Sequence, residues 1–165
     1  MKKLIDELAA YNTWANELMC NWLDIISDEQ FKQEVVSSFS SIQKTTKHIW
    51  GAQEIWICRL ENASFDRNIF ISDSYSKDEI ILNIKSSSLR LKKFADEISE
   101  MDLLKPLAYK NLKGEPFSNN IYQVLTHVFN HSTFHRGQVV TMLRQTGITE
   151  FDATDLVAFF RTLKE

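Results

Sequence analysis

The sequence predicts an all-α protein, a four-helix bundle with a short additional C-terminal helix. Four segments of about 20 residues carry apolar residues at helical spacing, and a bundle is the simplest way to bury four such faces. Only 4 glycines and 2 prolines occur in 165 residues, which disfavours an architecture with many turns. The length favours a single domain over residues 1–165, large enough to enclose a hydrophobic core.

The first two predicted helices occupy the N-terminal third of the chain. The first runs from about Lys2 to Ile26, and its inner face consists of Leu4, Leu8, Tyr11, Ala15, Leu18, Trp22 and Ile25. The second runs from about Ser41 to Leu60, and its inner face consists of Ile42, Ile49, Ala52, Trp56 and Leu60. Residues 61–76 show no steady period and are predicted to form a connection.

The third predicted helix starts at a capping box. Ser76 and Glu79 are three residues apart, so each side chain can bond to the backbone amide of the other residue. The helix extends to about Ser99, and its inner face consists of Ile80, Ile84, Leu91, Phe94 and Ile98. In residues 106–118, alternating polarity and a Lys-Gly pair predict a small hairpin or an extended loop.

The fourth predicted helix begins at Asn119 or Asn120 and ends at about Gln145. Gly147 follows it, and glycine is typical of helix ends. Its inner face consists of Ile121, Val124, Val128, Val139 and Met142. A fifth, short helix is predicted at about 153–163, packed on the outside of the bundle.

Composition and charge exclude several classes of function. The net charge of -3 and the pI near 5.8 leave no basic surface for nucleic acid. No apolar run approaches the roughly 18 residues that span a membrane, and Asp6 and Glu7 interrupt any signal-peptide core. We therefore expect a cytoplasmic location with neither nucleic acid nor membrane as a partner. Cys20 and Cys58 are predicted to be buried thiols rather than part of a disulfide framework.

Three of the 4 histidines recur at every fourth position of the fourth predicted helix, in the segment THVFNHSTFHRGQ. At about 100° per residue, His135 lies within roughly 10° of the centre of the inner face and His131 about 50° from it. His127 lies about 90° away, at the edge of that face. Histidines four residues apart can bind one ion, but three rings over two turns span about 12 Å and cannot share one.

A third metal ligand must therefore come from another helix. The remaining histidine, His48, lies beside the inner face of the second helix, so a bundle can bring it to His131 and His135. The alternative is that these are core histidines with hydrogen-bond partners, although two imidazoles on adjacent turns are hard to satisfy in a low-dielectric interior. Three nitrogen ligands leave a coordination position open, which is typical of catalytic sites.

Several neighbouring residues allow two interpretations each. Asn130, Ser132 and Gln138 are candidates for holding the outer nitrogens of the ligating rings, although polar residues there often only border the helix. Arg136 is predicted to be solvated rather than bound to a substrate carboxylate. Tyr11 and Trp14 are predicted to lie in the core rather than in a pocket. A neighbouring helix or a ligand is predicted to approach Gly137 closely, because glycine inside a helix is otherwise unfavourable.

The histidine segment and three further stretches resemble the DinB/YfiT-like family of metal-dependent enzymes. These stretches are YNTWAN at 11–16, SSFSSIQKTTKHIWGAQEIWICRL at 37–60, GEPFSNNIYQVLTHVFNHSTFHRGQ at 114–138 and TDLVAFFR at 154–161. They occur in the order typical of the family and cover nearly the whole chain. The family name derives from DNA-damage-inducible genes and does not imply DNA binding.

The resemblance implies a four-helix bundle with up-down-down-up topology, often a homodimer. It also implies a metal, usually zinc or nickel, held by one histidine of the second helix and two of the fourth, which here are His48, His131 and His135. His127 stands one turn before this pair and is expected to support it or to serve packing. Characterised relatives use low-molecular-weight thiols such as bacillithiol or mycothiol, whereas many other members have no known activity.

These implications lead to one leading hypothesis and several alternatives. The leading hypothesis is a metal-dependent S-transferase that joins a bacillithiol-type thiol to small electrophiles, because a metal lowers the pKa of a bound thiol. The alternatives are a metal-dependent hydrolase and a non-catalytic bundle that is stabilised by metal or binds a partner protein. The expected partners are a small-molecule thiol, an electrophilic substrate and a second copy of the chain.

Overall fold

The computed structural model describes residues 1–163 and is mostly helical in that range. Its elements, in chain order, are α1 (Lys2–Asp24), α2 (Asp28–Lys32), α3 (Ile42–Leu60), α4 (Asn68–Ile71), α5 (Lys77–Glu97), α6 (Glu100–Leu103), β1 (Pro106–Lys110), β2 (Pro116–Asn120), α7 (Ile121–Gln145) and α8 (Leu156–Thr162). The four long helices α1, α3, α5 and α7 and the short C-terminal helix α8 confirm the predicted helical segments.

The four long helices form a closed ring of neighbours. Helix α1 packs against α5 and α7, and α3 packs against the same two helices. The up-down-down-up order of their directions stays a prediction. No helix within residues 1–163 is long and apolar enough to cross a membrane.

The all-α class needs one correction, because the chain also forms a two-stranded antiparallel sheet. Strands β1 and β2 pair from Pro106 with Asn120 to Lys110 with Pro116, which confirms the hairpin alternative. The turn contains Gly114 at φ +89°, a left-handed conformation that glycine adopts without strain. Arg59 of α3 holds the hairpin, since its Nη2 donates to the Lys110 carbonyl over 2.8 Å.

Helix ends follow the predicted chemistry. Ser76 Oγ accepts from the Glu79 amide over 3.2 Å, and Glu79 Oε2 accepts from the Ser76 amide over 2.8 Å, so the capping box of α5 is confirmed. Gly147 lies at φ +93° directly after α7 and its cap residue, which confirms it as a helix stop. The connection predicted at residues 61–76 contains one short helix, α4.

The predicted inner face of α1 is confirmed at Tyr11, Ala15 and Trp22, which are buried, and is wrong at both ends. Leu4 and Ile25, both placed inside, are 54% and 68% exposed, whereas Ile5 is 2% exposed. The physical reason is that Asn12 and Asn16 are completely buried, so the face includes polar residues that an apolar pattern assigns to solvent.

A layer of buried polar side chains crosses the middle of the helix assembly, between two apolar clusters. We call it the polar layer, and it consists of Asn12, Asn16, Gln53, Ser87, Ser88 and Arg136. Its members bond mainly to one another, as buried polar groups must to offset their desolvation. Both cysteines are buried, and Cys20 lies in one of the apolar clusters, where burial raises the pKa of its thiol to about 12, as expected for an inert thiol.

Candidate metal centre

The packing of α3 against α7 brings three imidazole nitrogens together. His48 Nε2 on α3 lies 3.1 Å from His131 Nε2 on α7, and His135 Nε2 lies 3.2 Å from the same His131 atom. The structure thus places the three predicted residues at one point and leaves His127 outside their group.

The spacing of these nitrogens fits a divalent cation. Ligands about 2.0–2.1 Å from a tetrahedral zinc ion lie about 3.3 Å from one another, close to the observed distances. A neutral imidazole carries a proton on one of its two nitrogens. Where the Nε2 atoms of three such rings meet without protons, their lone pairs face one another and no hydrogen-bond donor lies between them. A cation at the centre resolves this repulsion. The donor set suits zinc, nickel, copper or iron, and the identity of the metal stays a prediction.

Burial keeps these imidazoles in the form that binds metal. Desolvation, followed by the charge of His135, lowers the pKa of His48 to about 4. Desolvation and then the other histidines lower the pKa of His131 to about 3. Both rings are therefore neutral at pH 7, so no proton has to leave before a cation binds.

Gln138, one of the three candidates for this role, forms a hydrogen bond to one of the three rings. Its Oε1 lies 2.7 Å from His135 Nδ1, while its Nε2 donates to Ser38 Oγ over 3.0 Å. An amide oxygen can only accept, so the proton of this ring is on Nδ1 and the Nε2 lone pair faces the other two histidines.

Replacing Gln138 with leucine should weaken metal binding by about 10–100-fold, because His135 then loses the bond that fixes its tautomer and orientation. A chelator competition titration with zinc measures the change. Gln145→Leu is the matched control, since Gln145 lies on the same helix but donates only to the Val36 carbonyl. Equal affinities in the wild type and in Gln138→Leu would show that the amide has no role in the site.

The other polar neighbours make no bond to the ligating rings. Ser132 Oγ and His131 Nδ1 are both buried and have no hydrogen-bond partner among residues 1–163. Asn130 is exposed and lines a separate cavity of about 430 Å³ on another side of α7. His127 is exposed, and its ring centre lies 5.7 Å from that of His131 and 5.6 Å from that of Trp56.

The prediction that Arg136 is solvated is wrong. The residue is 1% exposed, and its guanidinium donates to Asn12, Asn16 and Thr133 in the polar layer and beside it. It therefore has no access to a substrate bound at the histidines. Its partners are asparagines of α1, which gave no sign in the sequence that they would be buried.

The predicted approach of a neighbouring helix to Gly137 is wrong, whereas the alternative of a ligand there stays a prediction, since Gly137 borders the cavity beside Asn130. Among residues 1–163, no heavy atom beyond its own helix lies within 4 Å of the place where a Cβ would stand. The close approach occurs instead at Gly51 of α3, where a Cβ would collide with the ring of Phe70. The presence of Gly51 inside the second predicted helix was the feature of the sequence that could have indicated this contact.

Tyr11 and Trp14 differ in their burial. Tyr11 is 4% exposed, and its hydroxyl donates to the Thr154 carbonyl over 2.7 Å, as expected for a core residue. Its ring also borders the cavity beside Asn130. Trp14 is half-buried, with its ring centre 5.5 Å from that of Phe159.

A cavity of about 270 Å³ adjoins the histidines through His48. Its walls include Phe39, Lys44, Lys47, His48, Phe70 and Asp73. The Phe39 ring centre lies 4.5 Å from that of His48 and 5.7 Å from that of His135, so it covers one side of the histidine group. Sequence analysis missed Phe39 and Phe70, because both lie in segments without periodicity. We call this space the His48 cavity.

Several known proteins are similar to this chain over most of its length. Protein DinB of Bacillus subtilis is 28% identical over 148 residues, which cover 86% of this chain and 85% of that protein. A DinB-like protein of Bacillus cereus has the same fold, with a TM-score of 0.65, 21% identity and coverage of 87% of this chain and 91% of that chain. A second DinB-like protein, YjoA of Bacillus subtilis, matches with a TM-score of 0.65 and 13% identity over 90% of this chain and 97% of that chain.

The family model described as "DinB family" matches residues 1–161, almost the whole chain. The match includes all four long helices and the three histidines that converge between α3 and α7. The chain belongs to the DinB family.

Proposed function

We propose that this protein is a metal-dependent S-transferase that joins a low-molecular-weight thiol to a small electrophile. The observation that carries the proposal is the convergence of His48, His131 and His135 at the edge of an adjoining cavity. Zinc or nickel is the metal we expect. The proposal includes the up-down-down-up bundle and a homodimer as the working form, as in the family resemblance.

In the proposed reaction the thiol releases its proton to solvent, and its sulfur forms a bond to the electrophilic carbon. The leaving group takes the electron pair of the broken bond; a halide departs, whereas an epoxide oxygen stays on the product and takes up a proton from solvent. A bound divalent ion supplies a Lewis acid that favours thiolate over thiol at neutral pH. The chain holds this ion through three neutral imidazoles, orients His135 through Gln138, and shields one side of the group with Phe39.

The carboxylate in the wall of the His48 cavity is poorly suited to activate a water nucleophile. Activation of water commonly uses a carboxylate or histidine as a general base near the metal. Among residues 1–163, the carboxylate in the cavity wall is that of Asp73, whose Oδ1 accepts from Lys47 Nζ over 2.7 Å. This hydrogen bond and the lysine charge lower the pKa of Asp73, which makes it a poor base. A divalent ion lowers the pKa of a bound thiol and of bound water alike, so the preference for a thiol rests on the family resemblance and not on the cavity.

The test is a conjugation assay with the zinc-loaded and the nickel-loaded protein. Thiol consumption and conjugate mass are followed with an epoxide and an activated alkyl halide, each with and without added thiol. The proposal expects turnover that requires both metal and thiol and that disappears in His131→Ala. Equal rates with the metal-free protein would contradict it.

Two other results would assign the alternatives. Turnover of an ester or amide that needs metal but no thiol would identify a hydrolase. A large loss of thermal stability on chelation, without turnover of any substrate pair, would identify a metal-stabilised bundle that does not act as an enzyme.

A further inference from the structure

The His48 cavity contains two lysines and one carboxylate. Lys47 is nearly buried and is neutralised locally, because its Nζ donates to Asp73 Oδ1 over 2.7 Å and to the Ser72 carbonyl over 2.6 Å. Lys44 is exposed and donates to the neutral hydroxyl of Ser40 over 3.1 Å. Within residues 1–163, Lys44 forms no salt bridge, although its charge also acts on Asp73, so two lysines and one carboxylate leave a net positive charge in the cavity wall.

Lys44, which forms no salt bridge within residues 1–163, lies on the same side of α3 as His48. Lys44 precedes His48 by four residues, and side chains at this spacing on a helix are neighbours with Cβ atoms about 5–6 Å apart. Both residues line the same cavity. A small molecule with its sulfur at the three histidines can therefore place an anionic group beside the Lys44 ammonium.

The aromatic walls of the His48 cavity suit a ligand in which a short chain connects the sulfur to the anionic group. Phe39 and Phe70 are apolar, and their ring centres lie 4.5 Å and 6.1 Å from that of His48. Apolar walls exclude water and strengthen a charge pair at the cavity edge relative to one in bulk solvent. The cavity volume of about 270 Å³ suits a small ligand.

We propose that the thiol cosubstrate carries an anionic group, such as a carboxylate, which pairs with Lys44 while the sulfur lies at His48, His131 and His135. This inference rests on the proposed function and specifies its thiol. We assign the anionic group to the thiol rather than to the electrophile, because the proposed reaction places the thiol sulfur at the histidines.

The test measures thiol binding to the cobalt(II)-loaded protein by its visible absorbance, without turnover. The probes are 3-mercaptopropionate and its neutral amide, and the quantity compared between variants is the ratio of their dissociation constants. Comparing this ratio between variants cancels two effects that are the same in every variant. These are the intrinsic difference in metal affinity between the two thiols and the attraction of the metal ion for an anionic group. Lys44→Gln should reduce the preference for the carboxylate about fivefold, and Lys44→Glu should reduce it further.

Two other variants make the result specific. Asp73→Asn removes the counter-charge of Lys47 and should increase the preference for the carboxylate. Lys93→Gln, on an exposed lysine of α5 outside the cavity, should leave it unchanged. Far-UV circular dichroism and cobalt content verify that every variant is folded and loaded.

Failure of this inference is distinct from failure of the proposed function. If both thiols perturb the cobalt spectrum but the Lys44 variants retain the wild-type preference, the pairing with Lys44 is wrong and the transferase proposal stands. If neither thiol changes the cobalt spectrum, the transferase proposal is wrong. The inference about the thiol is then wrong as well, because it depends on that proposal.

Discussion

Replacing His131 with alanine is expected to abolish metal binding. His131 Nε2 is the atom that both other histidines approach, at 3.1 Å and 3.2 Å, so its loss leaves two nitrogens on different helices. Loss of a residue that merely orients a ligand commonly costs about 10–100-fold in affinity, and loss of the ligand itself should cost more than about 100-fold. Mass spectrometry for metal content, on protein purified without an affinity-tag metal, should find one ion per wild-type chain and none in the variant.

His127→Ala is the matched control for this experiment. It removes the same side chain from the same helix one turn earlier, but His127 is exposed and outside the convergent group. We expect this variant to keep one ion per chain. If the wild type binds no ion even after reconstitution with zinc and nickel, the histidines serve the core and the enzyme proposal must be dropped.

The three histidines could be grouped from the sequence because helical phase is a simple geometric property. The angular positions of His131 and His135 required only the apolar pattern of one long helix. With only 4 histidines in the chain, His48 was the remaining candidate for a third imidazole. The bond from Gln138 was foreseen only as one of three possibilities, since the choice depends on the side-chain conformation rather than on the helical phase.

The cavity beside the histidines could not be predicted in the same way. Phe39 belongs to the segment before α3, and Phe70 belongs to the short helix α4 within a connection that has no period. Their positions follow from tertiary packing, in which the ring of Phe70 approaches the backbone at Gly51. An isolated glycine in a predicted helix is a weak sign of a close approach, because it coincides with one at Gly51 but not at Gly137, and it does not identify the neighbour.

The partly misplaced inner face of α1 and the misplaced Arg136 have one physical cause. Pattern analysis assigns asparagine and arginine to solvent because burying them alone is costly. In the polar layer this cost is shared, since Asn12 Nδ2 donates to Gln53 Oε1 over 3.0 Å and Arg136 donates to the oxygens of Asn12 and Asn16. No single residue predicts such a network, because each member is favourable only in the presence of the others.

Arg136→Ala should therefore produce the largest loss of stability among the changes considered. It removes the donors of the Asn12 and Asn16 oxygens and opens a cavity at a position that is 1% exposed. We expect a loss of about 3 kcal/mol or more in the free energy of unfolding, a decrease of roughly 6–12 °C in Tm. Urea unfolding followed by circular dichroism measures the first quantity, and calorimetry measures the second.

Two variants separate the contributions of hydrogen bonding and volume. Arg136→Met fills much of the space but leaves the same oxygens without a donor, so it should lose about half as much stability as Arg136→Ala. Arg161→Ala, on an exposed arginine of α8, should change stability by no more than about 0.5 kcal/mol. If Arg136→Met is as stable as the wild type, the desolvation free energy of the buried guanidinium equals the stabilisation from its hydrogen bonds. Arg136 would then make no net contribution to the stability of the polar layer.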